Sequence, residues 1–327
     1  MTWIGSVGIG MTFLMCMLSS ISCDVIGIRQ TSILGATIGS SGLLISAFVT
    51  NLDYLFLSFG FIFGIGNAFI LCPSVVILGH YFKKRIGLAN GLVSSGTAVL
   101  IILLSFALPQ LLTHFRIKYM FLFLSGFYFL LIFSSLTFIP LPSKKENHEK
   151  VKKLRNICNV DIWKNKVYVI WAISVSVVCI GFNVPVVHMV KYLTGIFPDE
   201  DITFYVTLRA TIVSIGRLVF GKVSDFKSVN RMYLQQSAFV VLGLGLIIIP
   251  WIRDYIVFIT LNVITGIFIG VSMSLNGPIA FDIFGHKASQ AIGFLYGMMA
   301  IPSISGPPIA GKHSYLNDIK IYGFYNI

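Results

Sequence analysis

The chain has 327 residues, of which 56% are hydrophobic and only 11% charged. A soluble enzyme or nucleic-acid binder of this length needs far more polar surface, since soluble domains carry about 25% charged side chains. The formal net charge of +12 therefore reads as a topology signal on a polytopic, all-α membrane protein, and no nucleic-acid partner is expected.

A helix that crosses ~30 Å of hydrocarbon requires about 20 mostly apolar residues. Ten such runs follow one another, at residues 3–22, 32–50, 54–80, 87–112, 119–141, 167–192, 203–221, 232–251, 255–281 and 288–311. Nothing ahead of Trp3 resembles a cleaved leader, so the first run is read as structure. When the connections are sorted alternately, one side holds sixteen Lys and Arg against six on the other. The sixteen are Arg29, Lys83, Lys84, Arg85, the eight from Lys144 to Lys166, Lys222, Lys227, Arg231 and Lys287. Basic loops stay in the cytoplasm, so these mark the inner face and Met1 lies outside. The one long hydrophilic stretch, 143–166, is then a basic cytoplasmic linker between an N-terminal bundle (1–142) and a C-terminal bundle (167–327) of five spans each. Its lysines suit an anionic-lipid or partner contact, or no role beyond topology.

Sliding the second half over the first by 201 to 202 residues superimposes chemically unusual positions. Asp24 meets Asp225, Gly64 meets Gly266, Phe82 meets Phe284, Arg85 meets Lys287 and Gly91 meets Gly293. Two parallel copies of a multi-helix unit, with a site at the midplane between them, are a common plan of secondary transporters.

Two cations lie inside an apolar span, Arg209 and Arg217. A guanidinium in lipid costs at least ~2.5 to 3.5 kcal/mol, so each should face a cavity or a partner. Arg217 offers a planar fork suited to a carboxylate, or it snorkels toward the inner face near Lys222. At 100° per residue the two arginines stand about 80° apart around their helix, close enough to face one path at two depths. Asn183 and His188, which flank Pro185, and Asn276 are further candidates for a cavity lining. Asn67 and Ser274 are expected to act as interhelical glue, and Asn90 to cap or pack at the inner end of its helix. Asp225 can latch one conformation by sitting at a neighbouring helix N-terminus or pairing with loop cations, with Lys83, Lys84 and Arg85 at the same inner gate. The five cysteines, at 16, 23, 72, 158 and 179, show neither metal-ligand spacing nor a disulfide framework. No P-loop, nucleophile elbow or zinc spacing occurs, so no cofactor, metal or enzymatic activity is expected.

The loop Gly221, Lys222, Val223, Ser224, Asp225, echoed by Asp24, Gly27 and Arg29 with Ser20 in place of the glycine, resembles the inner-loop motif of the major facilitator superfamily. Within it, YFKKRIGLANGLVSSG at 81–96 resembles the monocarboxylate transporters, where an aromatic pair, a basic cluster and Ala-Asn-Gly open the fifth helix. TWIGS at 2–6, Gly64, Ile65, Gly66 and Pro73, GFNVPVVHMVKY at 181–192, Arg217 with Gly221, and Gly306, Pro307, Pro308 and Gly311 are similar to that family's second, fourth, seventh, eighth and eleventh helices. The pattern has twelve helices, and this chain covers the second to the eleventh. It departs at Val213, where the family has an aspartate, at Ile86, where it has arginine, and at Gly87, where it has proline. The first-helix lysine used for proton and substrate binding has no counterpart.

The resemblance implies a two-bundle carrier of the plasma membrane that moves a small organic anion, a monocarboxylate or its like, by alternating access. Symport is the family's habit. Here proton coupling is not expected unless Asp282 or His188 provides the carboxylate or imidazole that titrates. The family also pairs with single-span ancillary glycoproteins. The rival reading is a transport-incompetent fragment or binding subunit, since two outer helices of the pattern are not covered.

Overall fold

The computed structural model describes residues 2–49, 51–114, 117–138, 160–198, 200–285 and 288–324. Among these residues ten long helices and no strand occur. They are α1 (Thr2–Val25), α2 (Ile28–Phe48), α3 (Leu52–Tyr81), α4 (Ile86–His114) and α5 (Ile117–Leu136), then α6 (Lys166–Ile196), α7 (Ile202–Val223), α8 (Arg231–Trp251), α9 (Tyr255–Phe284) and α10 (Ala288–Phe324). Each expected run lies on one of them. Among the described residues, α1 to α5 and α7 to α9 provide eight segments long and apolar enough by length and composition to cross a membrane.

The helices start where the sequence supplies an acceptor. Asn165 caps α6, Asp201 caps α7, Asn230 caps α8 and Asp254 caps α9, each side chain accepting a first-turn backbone N–H at 2.8–3.0 Å. Between α1 and α2 the chain turns on Gly27, whose φ of 106° suits only a residue without a Cβ. Two helices are irregular. α3 is π-helical over Phe56–Phe63, and α9 is interrupted at Leu275 between Tyr255–Ser274 and Asn276–Phe284.

Packing repeats as the sequence does. In the first half α2 lies between α3 and α5, and α1 lies on α3; in the second, α7 and α8 lie on α9, and α6 lies on α10. The halves meet along two long seams, α1 with α10 and α4 with α7. These seams are equivalent under the repeat, because α1 matches α7 and α4 matches α10. Of the basic linker, the 3-10 turn Val160–Lys164 docks on the second half: Ile162 is buried, and Trp163 lies edge-on to Tyr168 (5.9 Å) and Phe294 (5.7 Å). Residues 139–159, which take in the linker up to 159 and Cys158 with it, together with Arg116 and Lys287, lie outside the described residues.

Candidate functional site between the helical halves

The second seam is closed at its inner end by a capping arrangement that spans the two halves. Helix α4 opens with Ile86 and Gly87 and has no acidic residue in its first turn, so its N-terminal N–H groups need a partner from elsewhere. Asp225 provides it. Its Oδ1 accepts the Gly87 N–H and its Oδ2 the Leu88 N–H, both at 2.9 Å. A carboxylate at a helix N-terminus gains from both the hydrogen bonds and the dipole, together about 1–2 kcal/mol.

Arg231 holds the carboxylate from behind. Its Nη2 lies 3.0 Å from Asp225, its Nη1 lies 2.7 Å from Asp282, and its Nε donates to the Ser224 carbonyl at 3.0 Å. The backbones must come close for this. A Cβ on Gly87 would strike the Ser224 hydroxyl and the Gly221 carbonyl, and one on Gly221 would lie 2.7 Å from the Gly87 carbonyl. Gly87 also donates an N–H that a proline at this position cannot. Lys83, Lys84 and Arg85 stand exposed at the mouth of this closure, just before α4.

One turn further in, Asn90 reaches across the seam. Its Nδ2 donates to the Ser274 carbonyl at 2.6 Å. In an unbroken helix that carbonyl would accept the N–H of residue 278, but residue 278 is proline. Asn90 thus replaces a donor that Pro278 lacks, at the place where α9 is interrupted.

Two further turns along, Arg217 of α7 crosses to α4, where its Nη1 donates to the Ser94 carbonyl and to Thr97 Oγ1 (2.6 Å). Its Nε is buried without a partner. An unsatisfied buried donor costs roughly 1–3 kcal/mol, more when charged, which marks a place where an acceptor belongs. Tyr296 of α10, stacked on Phe13 of α1 with ring centroids 5.8 Å apart, is within electrostatic range of the guanidinium. Further along α4, Val99, Leu100, Ile101 and Leu103 are exposed.

The other candidates lie inside the second half. Arg209 donates through Nη1 to Tyr205 Oη (3.0 Å) and Asn262 Oδ1 (3.1 Å) and borders a cavity of about 100 Å³ with Val177, Gly181, Phe239 and Thr265. The two arginines are therefore not brought to one surface: Arg217 meets α4 and Arg209 meets α9. Asn183 donates to Cys179 Sγ (3.1 Å) and Ser303 Oγ (3.0 Å), tying α6 to α10. Asn276 is buried and accepts from Gln235 Nε2 at 2.8 Å, while Gln235 Oε1 accepts from Trp171 Nε1 at 2.6 Å. His188 is half-buried on α6. In the first half, Asn67 accepts from the Tyr128 hydroxyl at 2.7 Å.

Sequence reading missed Thr97, Gln235 and Asn262. The last two carried a usable signal, an amide within an apolar run. The Ser94 and Ser274 carbonyls carried none, because every residue has one.

A family model for the Major Facilitator Superfamily matches residues 1–307. Human monocarboxylate transporter 10 is 38% identical over 324 residues, covering 94% of this chain and 63% of the relative. Chicken monocarboxylate transporter 4 is 29% identical over 327 residues, covering 95% and 67%. The chain thus spans about 63% of the length of the first of these. Among solved structures, the human organic anion transporter TETRAN aligns with a TM-score of 0.71 at 16% identity, covering 94% of this chain and 76% of that one. The E. coli fucose:proton symporter FucP aligns at 0.72 and 12%, covering 97% and 84%. These two likenesses bear on fold alone, and they agree with the two packed halves. The chain is an integral membrane protein that belongs to the Major Facilitator Superfamily, and the resemblance to its monocarboxylate transporters holds over nearly the whole sequence.

Proposed function

We propose that the protein is a secondary transporter of the plasma membrane that carries a small organic anion, a monocarboxylate or close relative, by alternating access. One observation carries the reading: a guanidinium at the seam between the halves, Arg217, with one nitrogen tied across the seam and Nε buried without an acceptor. A carboxylate is the planar, bidentate acceptor that such a fork fits. The names of the relatives point the same way, since monocarboxylate and organic anion transporters stand among them.

In this reading residues 1–142 and 167–327 are the rocking bodies and 143–166 their inner-face linker. Asp225, Asn90 and the basic run Lys83, Lys84 and Arg85 form the inner gate, closed here, so the arrangement corresponds to the side of the cycle that faces outward. Arg209, Asn183, His188 and Asn276 support the binding half from within. Asp282 is paired with Arg231 at the inner gate, 2.7 Å from its Nη1. A single-span glycoprotein is the ancillary partner expected from the family.

The test is uptake of radiolabelled carboxylates by cells or proteoliposomes containing the full chain. Arg217→Ala is expected to lower carboxylate uptake at least about tenfold, the equivalent of one lost charge-assisted contact. Unchanged uptake removes the assigned role, and uptake driven by an imposed pH gradient contradicts uncoupled transport.

A further inference from the structure

Arg217 has two edges on which a carboxylate can dock in a bidentate manner, Nη1–Nη2 and Nε–Nη2. The first edge is already engaged, because Nη1 donates to both the Ser94 carbonyl and Thr97 Oγ1, which is 2.6 Å away. Ser94 is bound into its own helix turn, its hydroxyl donating to the Asn90 carbonyl at 2.6 Å, so its carbonyl is a fixed point. Thr97 is likewise fixed, its hydroxyl donating to the same Ser94 carbonyl at 2.7 Å and therefore offering its lone pairs to Arg217. The two acceptors are 2.7 Å from each other and both take Nη1, so together they fix the place of the planar guanidinium against α4. What remains is the Nε–Nη2 edge. Nε is buried without an acceptor, so a carboxylate reaches this edge from the side of Nη2, which makes no hydrogen bond among the described residues.

We propose that Thr97 is a positioning residue for solute recognition: its hydroxyl, with the Ser94 carbonyl, orients the Arg217 guanidinium so that the Nε–Nη2 edge is the one presented to the carboxylate. This rests on Arg217 as the anion-holding group. It adds that the orienting atoms belong to the opposite half of the molecule from the arginine. Affinity is then tied to the position of α4: when α4 and α7 part, the guanidinium loses its orientation, and the carboxylate loses the fork that held it. Release on the inner side follows from the same movement that opens the gate at Asp225, without a second trigger.

The experiment is uptake of radiolabelled pyruvate, lactate and benzoate by proteoliposomes containing the full chain, with KM and kcat measured separately. Three variants are compared with the parent: Arg217→Gln, Thr97→Val, which keeps the shape and removes the hydroxyl, and Thr97→Ser, which keeps the hydroxyl. Thr97→Val is expected to raise KM about tenfold with kcat changed less than about twofold, and Thr97→Ser to stay within about twofold of the parent in both. Equal losses in the valine and serine variants, an unchanged valine variant, or a loss confined to kcat overturns the proposal. The underlying reading fails on other arms: a parent protein that takes up none of the three probes, or an Arg217→Gln variant that takes them up unchanged, removes carboxylate recognition by Arg217 altogether.

Discussion

The two inner seams are copies of one design and differ in the residues that flank the carboxylate. At the second seam Asp225 grips backbone: two N–H groups of α4 at 2.9 Å, backed by Arg231. At the first seam its counterpart Asp24 accepts from the side chain of Gln290, at 2.9 Å, and the Ser289 hydroxyl donates to the Ser20 carbonyl at 3.4 Å. The seams also differ at one residue. Where the second seam has Gly221, the first has Ser20, whose hydroxyl lies against Gly293 of α10. Arg29, in the basic position after Asp24, is exposed, whereas Arg231 is half-buried and pairs with two carboxylates. Pseudo-symmetry therefore sets a carboxylate at the same place in each seam, with different side chains around it.

Substitutions can break or sharpen this contrast. The largest effect is expected from Asp225→Ala, which strips the cap from α4 and leaves Arg231 short of a partner; removal of one member of a buried pair costs about 3–5 kcal/mol. The gate should then open, read as labelling of Cys16, buried in the α1–α10 seam, by a thiol reagent that leaves the parent unlabelled. Next comes Gly221→Ser, which installs the first seam's residue in the second. Its Cβ meets backbone, so overpacking of about 1–3 kcal/mol should appear as a lower unfolding midpoint in detergent. The exchange in the other direction, Ser20→Gly, should stabilise the closed seam or leave it unchanged.

Asn90→Ala should cost about 1–2 kcal/mol by baring the Ser274 carbonyl. The same change made together with Pro278→Ala should cost less, because an alanine N–H can close the helix turn, and a double-mutant cycle measures that coupling. Smallest is Asp24→Asn, which keeps an acceptor for Gln290 and should alter uptake less than about threefold. If Asp24→Asn proves as damaging as Asp225→Ala, the two seams do not differ in strength.

Much of the fold was legible because hydrocarbon imposes a length on helices and the cytoplasm a charge on loops. Every expected run lies on a helix, and the echo between Asp24 and Asp225 pointed to two carboxylates that bond across the seams. What could not be read was who meets whom. Arg209 and Arg217 lie about 80° apart on one helix, an angle that left a shared path open, yet it suffices to turn one toward Tyr205 and Asn262 and the other toward α4. The interruption of α9 at Leu275 was also hidden. Pro278 signalled a weakened turn, but only the packed structure shows that Asn90, 184 residues away in sequence, provides the missing donor.

In the proposed transport cycle that borrowed donor makes hydration one of the steps. Whenever α4 withdraws, the Ser274 oxygen sheds its amide and no helix N–H can take its place, so a water molecule must enter to the depth of Leu275. Parting of the halves is therefore also a wetting event, and the ease with which water reaches that oxygen becomes one of the determinants of turnover.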